Sequence, residues 1–595
     1  MRQSSPPRPL VALTLFLILA PGDVEAQRAK VDSQVVAPNE QGMAYSISPK
    51  GAHLVAITQK GTRWVVLHDG VPGPLFDQII SSGGGSRISF SPDGTRFGYA
   101  GRQGQEWVIV IDGKEVLRRP IGTNQTLLRG AGIGIQFTPN SKHWFFHYNN
   151  PNEQDPRADP PRLIWDGVAG PAGADANITV SADGEHHAYT VANPANPNQQ
   201  VLIVDGKPAP TLGFSPVFTG DGLHLYTQRI TRPPVGPQVT ELLLDGRPIV
   251  RAFKTEVFTA PVGSLAVIKV GRMDPRGEIT FLHVNGVKVP DSEAQFMGPI
   301  QFSADGKHWA TKVGLPGVPN YLIVDGIKQR EYEAIDSLLW TDAGKPVYTV
   351  GAGAKSFVIT GDQESENGYG RSTFPIALGK GGRVGYVAQL NGATAVVVDA
   401  TVTPPPARMW ASEFSFSPDG LRTAYAVTAP GATSGTVMVD HKPASSTTMP
   451  FGPLKSGLAV QYIWSPDSKT TMHYGYPGTQ YTGQFALFVG NRAVAHGTTP
   501  RIELPTFTPD AKHLFWLAMA PNNEDMQVFL DGNVVFEFDG QGRGPLTDPG
   551  NWDIGADGVL TFIVQTYEGF KRVRVTPGAD NGVEAMLARG KVVRP

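Results

Sequence analysis

Six histidines recur two positions after a turn glycine or its equivalent: His53, His143, His186, His224, His308 and His513. A ring of imidazoles could hold a metal or relay protons. Ligands of one ion must converge within ~2.1 Å of it, whereas equivalent positions of a repeat are spread apart. The expected role is therefore a polar residue opening a strand. Recurrent aspartates raise a second possibility, because two carboxylates in one cleft can do acid–base work. Asp93, Asp183, Asp305, Asp419, Asp467 and Asp510 fall in one kind of turn, where Asp accepts backbone hydrogen bonds and a following Gly tolerates positive φ. Asp112, Asp205, Asp245, Asp325 and Asp531 precede Gly in hairpins, where Asp-Gly suits a type I′ turn. Both sets read as turn residues.

Other chemistry is sparse. Gly351 to Ser356 lacks the spacing of a phosphate loop, and Gly130 to Ile135 misses the last glycine of a dinucleotide fingerprint. There is no G-x-S-x-G elbow and no H-E-x-x-H. Asp553 to Gly558 has too few carboxylates for a calcium loop. With no cysteine, thiolate metal sites, disulfides and thiol catalysis are excluded. No catalytic residue, metal ligand or cofactor is expected.

The elements that carry these residues repeat. Arg87 to Arg118 holds four short apolar runs, parted by the turn Ser91-Pro92-Asp93-Gly94, a polar loop and the turn Asp112-Gly113-Lys114. Such a unit reads as a four-stranded antiparallel sheet. Its first turn returns at Ser48 to Gly51, Thr138 to Ser141, Ser181 to Gly184, Thr219 to Gly222, Ser303 to Gly306, Ser417 to Gly420, Ser465 to Ser468 and Thr508 to Ala511. Weaker copies stand near Gly263, Asp342 to Gly344, Lys380 to Gly382 and Ala556 to Gly558, giving thirteen units 38 to 48 residues apart. Gly (69) and Pro (51) make about a fifth of the 595 residues, a composition that disfavours helix. A four-stranded unit cannot bury both faces alone, and radial stacking solves this as a β-propeller. The expected fold is all-β. Propellers usually have four to eight blades, so two in tandem are expected, seven plus six, with six plus seven as the alternative. The Asp/Asn-Gly form of the second turn runs to Asp325-Gly326 and is lost in the next two units, which places the boundary near Tyr332: one propeller over 27–331, another over 332–595.

The F-S-P-D-G turn followed by an aromatic-containing strand, as in Phe90 to Tyr99 and Phe416 to Tyr425, resembles the WD-like repeats of the TolB-type β-propeller family. The V-x-V-D-G-K variant at Ile109 to Lys114 and Ile203 to Lys207 is similar to exported bacterial propeller-repeat proteins. The resemblance spans nearly the whole chain and implies fold more than activity. Propellers of the prolyl-oligopeptidase type add a catalytic α/β-hydrolase domain, and none is expected after the last blade.

Residues 1–26 read as a signal peptide: Arg2 and Arg8, an apolar core from Leu10 to Ala20, and small residues at Val24 and Ala26. That core is far short of the ~20 residues of a spanning helix. Export to the periplasm or the extracellular space is expected. The balance of 51 Lys+Arg against 53 Asp+Glu gives a formal charge of −2, without the excess positive charge of a nucleic-acid binder. The loops joining second and third strands are long and variable: 149–162, 192–200, 228–239 and 475–484. They hold Arg157, Arg162, Arg229, Arg232, Tyr476 and Tyr481, residue types that anchor interfaces. The expected function is a non-enzymatic binding or scaffold protein whose loop face meets an envelope or extracellular protein or glycan. Its rival is a carbohydrate-active lyase or hydrolase with a site in a propeller mouth.

Overall fold

The computed structural model describes residues 29–39, 44–79, 88–120, 134–148, 160–193, 196–209, 213–232, 238–275, 277–314, 319–366, 368–370, 376–391, 393–404, 410–428, 435–444, 462–475, 485–497, 502–520, 524–539, 552–578 and 582–589. The signal-peptide expectation falls outside them, as do Arg157, Tyr476 and Tyr481. Within them the chain forms thirteen antiparallel sheets of four strands, two carrying one extra short piece, and twelve of them take their strands from one continuous stretch of chain. Blade 1 shows the plan: Ala44–Ile47, Leu54–Lys60, Arg63–His68 and Val71–Phe76 pair in chain order. The middle strands are buried on both faces, which is why they read as unbroken apolar runs; Leu54, Val55, Ala56 and Ile57 are all sealed from solvent. Burying each Val, Leu or Ile contributes roughly 1.5–3 kcal/mol.

Most of that burial is between blades. Val55, Ile57 and Val66 of blade 1 pack on Phe97, Tyr99, Val108 and Val110 of blade 2. Comparable clusters join blades 6 and 7 around Leu282 and Trp309, and blades 12 and 13 around Phe515 and Phe562. This is the face-to-face stacking of a propeller, and it confirms the expected fold class. One α-helix is described, Val583–Arg589, whose Val583 and Met586 enter the core shared by blades 11 and 12.

Two observations describe how the blades join. The first strand of the chain is Lys30–Ala37. It is the outermost strand of the last blade, paired with Gly569–Thr576 from Lys30↔Thr576 to Ala37↔Phe570. Val36 and Ala37 then pack with Phe570 and Ile563 against Leu54 and Ala56 of blade 1. The second finding concerns position 332. Leu322 and Val324 of blade 7 pack there on Tyr332, Ile335 and Tyr348 of blade 8, as other consecutive blades do. The second turn becomes Gly361-Asp362 in blade 8, with only Gly361 left-handed (φ 60°), and regains its shape in blades 9 and 10. Asp399-Ala400 (φ 49° and 67°) and Asp440-His441 (φ 48° and 62°) make the same two-residue turn with both residues left-handed.

Candidate functional site

Strand direction alternates within each blade, so the two short turns lie at one end and the second-to-third-strand loops at the other. The turn end is uniform. In the first turn of blade 2, Ser91 Oγ donates to Asp93 Oδ1 (2.6 Å), which also accepts the Thr95 N–H (3.0 Å), while Gly94 sits at φ 76°. These bonds outweigh the upward push of burial and bring the Asp93 carboxyl down to about 2. The turn role expected for these aspartates holds.

The histidines prove to be partners of the second set of aspartates. Each donates from Nδ1 to the carboxylate of the neighbouring second turn: His53 to Asp69 (2.8 Å), His143 to Asp166 (2.6 Å), His186 to Asp205 (2.9 Å). His224 to Asp245 (2.8 Å), His308 to Asp325 (2.8 Å) and His513 to Asp531 (2.7 Å) complete the set. The other carboxylate oxygen accepts the first backbone N–H of the second strand, as Asp166 does from Trp144 (3.0 Å). Arginine takes the same place in three blades, pairing Arg96 with Asp112, Arg383 with Asp399 and Arg422 with Asp440. Its longer side chain also reaches the next blade, where Arg383 Nη1 donates to Gly420 O (2.7 Å). One sequence signal could have revealed this tie. In two blades the aspartate and the cation are missing together, Leu265 standing with Asn285 and Thr470 with Gly490, whereas blade 8 keeps Lys345 opposite Gly361.

One copy is richer. At the seam between blades 13 and 1, Asp69 Oδ2 accepts both His53 and Arg572 Nη1 (2.7 Å), and Oδ1 accepts the Leu54 N–H (2.9 Å). Burial raises the Asp69 carboxyl, but His53, Leu54 and the Arg572 charge more than offset it and hold it low. His68 packs at a tilt against Phe97 beside it, and the His53, His68 and Asp69 ligand atoms lie within 4.8 Å of one another. A guanidinium on the same carboxylate oxygen makes this group a tie across the seam and a poor cage for a cation.

The loop end differs from blade to blade. Of the described candidates, Arg162 opens a strand and donates to Gly170 O (3.1 Å). Arg229 lies within the strand Leu225–Thr231, not in a loop, and pairs with Glu241 on the facing strand. Much of the 192–200 loop is likewise hairpin, with Ala192 opposite Gln200. Arg232 is exposed, with Gln238 as its neighbour (3.4 Å). Sequence reasoning missed the apolar side chains here. Ile230 of blade 5 (41% exposed) and Phe253 (36%), Met273 (52%) and Phe296 (50%) around blade 6 all stand at loop-end positions. Phe253 N–H donates to Gly271 O, and Met273 sits opposite Glu278. Strand patterning could not flag them, because apolar residues at strand ends read as core.

No protein-family model and no curated protein matches this chain. Among solved structures it is similar to the β-propeller domain of the trilobed protease from Pyrococcus furiosus, at 12% identity and a TM-score of 0.22, over 45% of this chain and 92% of that one. A eukaryotic initiation factor matches at 12% identity and a TM-score of 0.22, over 76% and 87%. TolB from Acinetobacter baumannii matches at 13% identity and a TM-score of 0.18, over 46% and 79%. Scores this low carry no argument; the fold rests on the strand order.

Proposed function

We propose that this chain is an exported, non-enzymatic binding or scaffold protein, related to the TolB-type propellers, that engages an envelope or extracellular protein or glycan through its loop end. The observation that carries the reading is the asymmetry of the two ends. Turn-end aspartates, histidines and arginines are spent on one another, and the exposed apolar residues of that end, such as Val71, Val168, Val287 and Ile327, recur at one turn position. The loop end, by contrast, differs from blade to blade and there exposes Ile230, Phe253, Met273 and Phe296. Exposed apolar groups on a rigid scaffold mark an interaction surface more often than a stability device. Export rests on the Arg2 to Ala26 pattern and is checked by N-terminal sequencing of envelope-fraction protein, with Gln27 as the expected first residue.

The function is tested by binding to isolated envelope material. Phe253→Ser combined with Phe296→Ser is expected to weaken binding and leave the melting temperature unchanged, with a broad hydrolase and lyase screen silent. Turnover in that screen, or unchanged binding by the double variant, would overturn the reading.

A further inference from the structure

The third position of each blade's second strand faces the core between blades and is usually aromatic: Tyr99, Phe146, Tyr189, Tyr348, Tyr386, Tyr425 and Trp516 are all buried there. In blade 11 that position is His473, in the strand Thr471–Gly475. It is fully buried and stacked flat on Phe488, with ring centroids 5.1 Å apart and planes 1° from parallel. Neither ring nitrogen has a hydrogen-bond partner among the described residues. The charged groups described on surrounding elements are engaged elsewhere: Arg422 with Asp440 on blade 10, Lys469 with Asp467 in the adjoining turn, and Arg492 with Leu587 O. An imidazole so placed packs as an aromatic ring only while it is neutral. Protonated, it would be an unpaired charge in the core.

We infer that His473 makes blade 11 an acid-labile element of the propeller, one that opens locally on acidification while its neighbours stay closed. Burial alone, with no charged neighbour contributing, pushes the imidazole down from 6.5 to about 4. The folded value lies below the unfolded one, so between those pH values the open state binds more protons. Its stabilising effect is complete above 6.5 and is lost as pH falls toward about 4. Opening becomes about tenfold more favourable per pH unit in that window. Two other imidazoles held low by burial, His68 and His187, differ in having a carboxylate beside them, Asp69 and Asp205.

Hydrogen–deuterium exchange of the full chain, corrected for intrinsic rates, tests this by following segments 462–475 and 485–497 at pH 6.5 and pH 5. The expected result is about 15-fold more opening in those segments than in blades without such a residue. His473→Tyr and His473→Phe restore the residue type of the other blades and should remove the pH response. Equal change in every blade, no change in blade 11, or a response that persists in the folded variants overturns the inference. Should the variants not fold, NMR titration of the wild-type His473 ring decides: an ordinary value near 6.5 refutes it.

Discussion

Replacing Asp69 with Asn asks how much the seam tie adds to the tie repeated in other blades. Asn keeps an oxygen for the Leu54 N–H and tolerates the φ of 48° found at Asp69, so the turn itself should survive. What disappears is the charge that Arg572 and His53 both donate to, at 2.7 and 2.8 Å. A hydrogen bond to a charged group contributes about 1.5–3 kcal/mol. Arg572 and His53 are partly exposed and regain some water, so the lower end, about 2 kcal/mol, applies. Asp205→Asn is the internal control. It loses the same histidine contact, but Asp205 is 44% exposed and has no arginine, which limits its cost to about 0.5 kcal/mol. The difference, about 1.5 kcal/mol, corresponds to roughly tenfold more frequent seam opening. Hydrogen exchange of Lys30–Ala37, the closing strand, reads it directly: about tenfold faster in Asp69→Asn and unchanged in Asp205→Asn. Arg572→Met should add little on top of Asp69→Asn, because both remove one interaction. Equal exchange of the first strand in the two aspartate variants would refute the reasoning.

Further outcomes follow from the same geometry. A chain beginning after Ala37 leaves Gly569–Thr576 as an open edge and uncovers the Val36 contacts, so it should melt lower and aggregate more than the mature chain, read by thermal melts with light scattering. Residues 27–331 expressed alone lack the partner of their first strand and the cover on blade 7. They should expose apolar surface to a hydrophobic dye, and a cooperative, dye-silent melt would instead establish them as a separate domain. Gly94→Val puts a β-branched residue at φ 76°, with its Cβ 2.6 Å from Pro49 O, and should cost about 2 kcal/mol or more by urea unfolding. Arg232→Ala should stay within ~0.5 kcal/mol of wild type, while Arg229→Ala leaves Glu241 without its cation and should cost about 1 kcal/mol.

The number and order of blades were legible in the chain because each sheet is built from local hairpins, and local turn chemistry is written in neighbouring residues. Ser91 to Gly94 and Asp112-Gly113 announce their turns, and even the weak copies near Gly263 and Gly381 sit at positive φ as expected. The wide separation of the histidines from one another was legible for the same reason. Their pairing with the second-turn aspartates was not, since residues 16 to 23 positions apart meet only once the hairpins are folded. Closure lay further still from local reading. Lys30–Ala37 has the pattern of any short strand, and nothing in its residues says that its partner lies more than 500 positions away. The division at Tyr332 rests on Asp-Gly giving way to other residues, and residue type alone does not fix the turn: Asp399-Ala400 and Asp440-His441 keep its two left-handed residues, Gly361-Asp362 only one. Sequence alone thus determined what is local here: strands, turns and their repeat. Which blade meets which, what seals the seam, and which apolar side chains stay in water were decided by tertiary packing, because each depends on surfaces that exist only after the blades have formed.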